Sequence, residues 1–388
     1  MELTTKQQEA LEIAVSRYLN NEPYTCISGY AGAGKTTLIS FIISALGLQP
    51  WEVCYIAYTG KAALVLKSKG CENAMTAHRL LYISHPKADG TFFHMPRRPL
   101  PPYKIIVCDE ISMLPKDMWE LLLSHHIHVI ALGDPAQLPP ITEDNGVLAK
   151  PHIFLDEIVR QAQDNEIIKL SMDIREGKPL QLFNGNQVKV IDKKDLKSGM
   201  YTWADQIICA KNETRRQINE YMREATLGVK TPDPVEGDKV ICLKNDWDSM
   251  NAYGDMLVNG TIGTISYIRY DDNNKYLKPY VEWDLLPDGY IPSECKEDPY
   301  FRDLNIDYKL LTTGEPTITQ KNFKKFPQMW KPKEFDYGYC ITCWKAQGDQ
   351  YNKVLLFEEG FPFEPEEHRR YLYTGITRAV EKLVVVRK

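Results

Sequence analysis

The octapeptide Gly29-Tyr-Ala-Gly-Ala-Gly34-Lys35-Thr36 limits what this chain can fold into more than any other feature. It fits the spacing G-x-x-x-x-G-K-[ST], between an apolar run from Tyr24 to Ile27 that reads as a strand and a run from Thr37 to Ile43 that reads as a helix opening. A strand, a glycine-rich loop and a helix in that order curl backbone amides around phosphate at a helix N-terminus. The sequence therefore nominates Gly29, Gly32, Gly34, Lys35, Thr36 and Thr37 as nucleotide contacts. Lys35 is expected at the β- and γ-phosphates, and the Thr36 hydroxyl at a magnesium ion.

Two further strand ends supply the acid and the sensor that such a loop lacks. The run Lys104-Ile-Ile-Val-Cys-Asp109-Glu110 delivers adjacent carboxylates to the end of an apolar strand. Asp109 is placed to hold the magnesium shell, and Glu110 to orient or deprotonate the attacking water. The apolar run Ile127 to Leu132 leads into Gly133-Asp-Pro-Ala-Gln-Leu-Pro-Pro140. Gly133 allows a tight turn where ligands of open α/β sheets collect. Gln137 offers a neutral amide that can bond phosphate or water without fixing a charge. Phosphoryl transfer also needs positive charge on the transition-state oxygens, often from an arginine that arrives as domains close. Arg160 and Arg378 are the candidates; each alone also reads as an ordinary surface arginine.

Read in order, these segments carry a resemblance. Leu3-Thr4-x-x-Gln7, the glycine-rich loop, Ala57-Tyr-Thr59-Gly60-Lys61, Thr76-Ala-His78-Arg79, Asp109-Glu110, the G-D-x-x-Q-L-P-P loop and Val159-Arg160-Gln161 come first, followed by Ile341-Thr342-x-x-Lys345-Ala-Gln347-Gly348 and Tyr373-Thr-x-Ile-Thr-Arg378-Ala. Over its whole length the chain resembles superfamily 1 DNA helicases of the RecD/Dda type. The resemblance implies that Gln7 recognises adenine, that Gln137 couples the γ-phosphate to movement, and that Arg160 and Arg378 are arginine fingers. It also implies that Thr59, Lys61, His78 and Thr342 face single-stranded DNA and that travel runs 5′→3′. Three positions depart from the family pattern: Tyr58 replaces a proline, Trp344 a histidine and Ala346 a serine. An indole at position 344 suits base stacking; a core tryptophan is the alternative.

Composition bounds this picture. The 388 residues suffice for two or three domains with substantial cores. The net charge of −5 gives no overall basic field, so DNA binding falls to a local groove. Nine scattered cysteines, an odd count, read as reduced thiols of a cytoplasmic protein. Cys340-x-x-Cys343 lacks a second pair, and His125, His126 and His128 enter a strand, so neither group is read as a metal site. No apolar run reaches membrane length, and the N-terminal residues lack a signal-peptide pattern. A monomer is expected.

The fold expected is α/β, with two RecA-like P-loop domains. The first covers 1–150, with a small β-hairpin insertion at 82–103; the second covers 151–234 and 336–388. In the hairpin, Asp89-Gly90 marks the turn and five prolines (Pro86, Pro96, Pro99, Pro101, Pro102) brace it. Phe92 and Phe93 beside that turn are candidates for a strand-separating wedge, or else pack the insert onto the core. Residues 235–335 change to short alternating strands and read as an inserted β-barrel, similar to the SH3-like insertion of the same helicases. Its latter part, 284–333, is loop-like, proline-bearing and rich in charge and aromatics, and its pattern assigns no structure.

The function expected is an ATP- and magnesium-dependent helicase or translocase on single-stranded DNA and duplex junctions. The alternatives are a nucleotide-gated DNA-binding module and another P-loop ATPase without unwinding. A GTPase would need N-K-x-D, to which neither Asn274-Lys275 nor Asn352-Lys353 continues, and a transporter ATPase would need L-S-G-G-Q, which is absent.

Overall fold

Tyr24–Gly29, the strand entering the glycine-rich loop, lies inside a six-stranded sheet whose spatial order is Ala74–Thr76, Val53–Ala57, Ile105–Cys108, His128–Gly133, Tyr24–Gly29 and Ile153–Leu155. Every pairing is parallel. The computed structural model describes residues 3–86, 92–139, 145–157, 164–271, 280–317 and 332–388, without side chains at 61, 64, 68, 84–86, 92–94, 247 and 248.

The apolar strand runs are continuous because both faces of this sheet are covered. Successive residues alternate between two cores. Ile105, Val107, Ile130 and Leu132 meet Ala10, Leu38 and Ile42 on one face. Ile106, Cys108, Val129 and Ala131 meet Leu80, Met118 and Leu122 on the other. Thr4 caps the helix Thr5–Leu19 through a capping box closed by Gln7. The sheet continues past residue 150, where the sequence divides the domains, because Ile153–Leu155 pairs with Tyr24–Gly29. Gly29 permits this pairing: a Cβ there would lie 2.8 Å from Cβ of Leu155.

A second six-stranded sheet follows, ordered Cys340–Thr342, Gln206–Cys209, Tyr351–Phe357, Ala379–Arg387, Val188–Asp192 and Phe183–Asn184. It is parallel except for the last pair. Its helices include Glu166–Arg175, Asn212–Leu227 and Pro365–Ile376. The molecule is thus α/β with two parallel sheets.

Between strands of the second sheet the chain leaves to form a five-stranded antiparallel sheet, in the order Phe301–Ile306, Tyr280–Pro287, Ile262–Asp271, Lys239–Cys242 and Phe335–Tyr337. Trp283 and Phe335 meet edge to face at 5.1 Å in its core. The sequence assigned no structure to 284–333; the region contains the end of Tyr280–Pro287, the strand Phe301–Ile306 and the helix Tyr308–Thr313. Period-two alternation fails in Phe301–Ile306 because Arg302 and Asp303 are both exposed, with Asp303 at φ 51° and a register shift opposite. The remainder of that region, 318–331, lies outside the described residues.

Tyr82–Pro86 and Phe92–Pro96 form an antiparallel pair in which Pro86 faces Phe92. The turn at 87–91 and the side chains of Phe92 and Phe93 lie outside the described residues. No helix of the described residues is long and apolar enough to cross a membrane.

Candidate functional site

Three neighbouring strands of the first sheet end at the same edge, carrying Gly29, Cys108 and Gly133 to the mouth of one cleft. That is where an open parallel sheet collects ligands. The cleft has a volume of about 660 Å³; Gly32, Gly34, Lys35, Thr36, Thr37, Asp109, Glu110, Asp134 and Gln137 line it from the first sheet, and Arg378 from the second. Gly32 and Gly34 take φ of 79° and 71°, which bends the loop back on itself. Gly34 precedes the helix Lys35–Ala45 with no side-chain cap, so the first amides of that helix remain available to an anion. The Lys35 ammonium donates to the carbonyls of Gly29 at 2.6 Å and Tyr30 at 3.1 Å, which holds it at the loop mouth.

The adjacent carboxylates Asp109 and Glu110 lie under local electrostatic and backbone strain. Burial, then the neighbouring Glu110 charge, pushes the Asp109 carboxyl up to about 6, against the pull of Lys35. Glu110 sits at φ 50°, a left-handed conformation costly for a side chain of its type. Its amide donates to Oδ1 of Asp109 at 3.1 Å. Gln137 Nε2 donates to Oε1 of Glu110 at 3.3 Å, joining the candidate sensor to the candidate base. A Cβ at Gly133 would meet Cδ2 of Leu148 at 2.6 Å, so a larger residue there would make that leucine move. These residues fit a nucleoside triphosphate with magnesium: uncapped helix amides and an ammonium for phosphate, and a hydroxyl and a carboxylate, Thr36 and Asp109, of the hard-oxygen kind that magnesium takes.

Side chains of the second sheet's helix Pro365–Ile376 reach into the first. The Tyr373 hydroxyl donates to Oδ2 of Asp134 at 2.6 Å and accepts from the Ala31 amide at 2.9 Å. Thr374 Oγ1 accepts from the Leu138 amide at 2.8 Å, and Gln347 Nε2 donates to the Leu138 carbonyl at 2.7 Å. Arg378 is buried at the cleft wall and bonds backbone rather than a carboxylate: Nε donates to the Thr374 carbonyl and Nη1 to that of Asp349, each at 3.1 Å. Arg160 lies outside the described residues.

The residues nominated for DNA divide into two groups. Thr59 caps the helix Gly60–Ser68 by accepting from the Ala62 amide, and it lines the same cleft. His78 packs 5.7 Å from the Tyr58 ring and 6.0 Å from that of Tyr82. Thr342 ends its strand on the second sheet, and half-buried Trp344 stacks 6.4 Å from Tyr371 against that sheet's core. The Lys61 side chain lies outside the described residues. Gln7 stands under the P-loop, donating to the Ala33 carbonyl at 3.0 Å while its oxygen accepts from the Thr4 amide.

Sequence reasoning assigned no role to Tyr373, Thr374 or Gln347, although each stands inside a quoted motif. The available signal was a polar side chain at a motif position with no phosphate or DNA duty.

Comparison with known proteins finds ATPase-domain and helicase relatives. A family model described as an AAA domain matches residues 2–195, and one described as a UvrD-like helicase C-terminal domain matches 337–386. The ATP-dependent DNA helicase dda of Enterobacteria phage T4 is 28% identical over 97% of each chain. A Pif1 helicase from Bacteroides in complex with ADP-AlF3 and ssDNA shares the fold at TM-score 0.51 and 16% identity, covering 99% of this chain and 92% of that one. A Pif1 structure at forked double-stranded DNA gives TM-score 0.51 at 17% identity with the same coverage. With the first α/β unit matched by its family model and the motif order running from Leu3 to Ala379, this chain belongs to the superfamily 1 helicases of the Dda/Pif1 type.

Proposed function

We propose that this protein is an ATP-dependent DNA helicase that moves 5′→3′ on single-stranded DNA and separates duplex at a junction. The observation that carries this reading is the composition of one cleft: Lys35, Asp109, Glu110 and Gln137 come from one sheet and Arg378 from the other, so the hydrolytic set is complete only when both domains are in register. Lys35 and the loop amides bind the phosphates, Glu110 orients and deprotonates the attacking water, and Arg378 stabilises charge on the transferred group. Thr36 and Asp109 would hold magnesium, which when bound would supply charge neutralisation on the phosphates. Gln137, bonded to Glu110, passes the state of that site into a loop gripped by the second domain.

In this reading the first RecA-like domain runs to Leu155 and the second comprises the sheet from 183 to 387. The antiparallel sheet from 239 to 337 is its SH3-like insertion. Thr59, Lys61, His78, Thr342 and Trp344 face the DNA strand, and the hairpin at 82–96 is the wedge. Polarity is tested by unwinding of duplexes carrying a single 5′ or 3′ tail. Unwinding confined to the 5′-tailed duplex is the expected result, and unwinding confined to the 3′-tailed one contradicts the polarity.

A further inference from the structure

Two neighbouring residues of the P-loop are held by side chains of the second domain. The Arg175 guanidinium lies 3.6 Å over the Tyr30 ring, and the Tyr373 hydroxyl takes the Ala31 amide. The hydrogen-bond directions at Tyr373 are fixed by chemistry: a backbone N–H can only donate, so the phenol oxygen accepts from Ala31 and its one proton goes to Asp134. Tyr373 and Asp134 are 1% and 2% exposed, so water does not compete for either bond. The 2.6 Å bond to the carboxylate is of the short, charge-assisted kind.

The next residue, Thr374, takes the Leu138 amide through its side chain, so consecutive helix residues grip both ends of the loop that carries Gln137. The Thr374 carbonyl in turn accepts from Nε of Arg378. An unbroken line of contacts therefore runs from the P-loop amide, through the phenol, to the arginine at the cleft wall.

We propose that Tyr373 is a positioning residue: by tying Ala31 and Asp134 to the helix leading to Arg378, its hydroxyl sets where that arginine stands during turnover. The inference rests on the helicase reading but names a residue to which that reading gives no task. A tyrosine that only satisfied two buried groups would lower stability without separating kcat from KM. One acting through Arg378 lowers kcat and leaves ATP binding to the loop amides and Lys35.

The test is steady-state ATP turnover, with and without single-stranded DNA, for the full chain and for Tyr373→Phe, Arg378→Ala and the double variant. Tyr373→Phe is expected to lower kcat about tenfold, the scale of one hydrogen bond to a charged group, with KM for ATP changed less than about twofold. In the Arg378→Ala background the same change is expected to cost little further. An equal loss in both backgrounds, or a raised KM with unchanged kcat, overturns the proposal. Thr374→Val, which removes only the companion bond to Leu138, should shift kcat in the same direction and covers the case of a Tyr373→Phe chain that does not fold; unchanged kcat in that variant also counts against the proposal. Turnover of the parent that ignores DNA would defeat the helicase reading, while the comparison of variants in basal turnover would still decide the role of Tyr373.

Discussion

Gln137 donates to Glu110 across 3.3 Å, so the proposed phosphate sensor touches the proposed general base. The left-handed backbone at Glu110 keeps its carboxylate at that meeting point. Removing the carboxylate and removing its partner should therefore have separable effects. Glu110→Gln is expected to bind ATP as the parent does and to lose at least about a hundredfold in turnover, the usual scale of a general base. Gln137→Ala is expected to keep measurable hydrolysis and to lose most DNA stimulation. Titration with a fluorescent ATP analogue beside a turnover assay checks both; a Glu110→Gln variant that fails to bind nucleotide contradicts the assignment.

Trp344 replaces the family's histidine and lies half-buried against Tyr371. In the proposed DNA-facing role its accessible surface stacks on a base. Trp344→Phe should keep the packing and retain most DNA affinity, because any aromatic ring can stack. Trp344→Ala should weaken binding by roughly 1–3 kcal/mol, the worth of one base–aromatic stack. Measured affinities equal to the parent in both variants would leave Trp344 as packing alone.

Phe92 and Phe93 are consecutive residues of the strand Phe92–Pro96, and consecutive strand residues as a rule point to opposite faces. Single alanine changes at the two positions should thus be unequal. One is expected to lower duplex unwinding while single-strand translocation and ATP turnover stay near the parent. Normal unwinding in both variants would move the wedge elsewhere.

Acid sensitivity follows from three histidines of the first domain. Burial lowers the ring pKa of His125, His128 and His152 below the usual value of 6.5. A lowered folded-state pKa contributes stability that is full above 6.5 and lost as pH falls through the folded value. His128 is the best defined of the three, its ring bonded to Thr25 and to the Glu22 carbonyl. The buried Asp109 carboxyl, pushed up to about 6, acts in the opposite sense over the same range, so the sign is read by comparison: between pH 7 and 5 the thermal midpoint of His128→Asn is expected to fall less, or rise more, than that of the parent. The same pH dependence in the parent and in His128→Asn contradicts the sign assigned to His128.

The sequence carried the first sheet in legible form because its strands are buried on both faces and read as unbroken apolar runs; Ile105 to Cys108 is the plainest case. That Lys35, Thr36, Asp109, Glu110 and Gln137 share one cleft was equally legible, since they belong to a loop and two strand ends. The strand Phe301–Ile306 escaped because consecutive exposed residues at a register shift erase alternation. Ile153–Leu155 escaped for a different reason: three residues carry little pattern, and only the bare backbone of Gly29 shows where they dock. Tyr373 was quoted in a motif but given no role, because its partner Asp134 lies 239 residues away in sequence, and such pairings leave no periodic trace.

The central claim is that hydrolysis is gated by domain register, and ATP turnover measured with and without single-stranded DNA tests it most directly. The cleft takes Lys35 and Glu110 from one sheet and Arg378 from the other, so a bound strand that fixes the two domains should complete the site. The account predicts turnover that rises at least about tenfold with saturating single-stranded DNA, consistent with an arginine finger worth several powers of ten, and that disappears in Lys35→Ala. Turnover that is the same with and without any nucleic acid would contradict it.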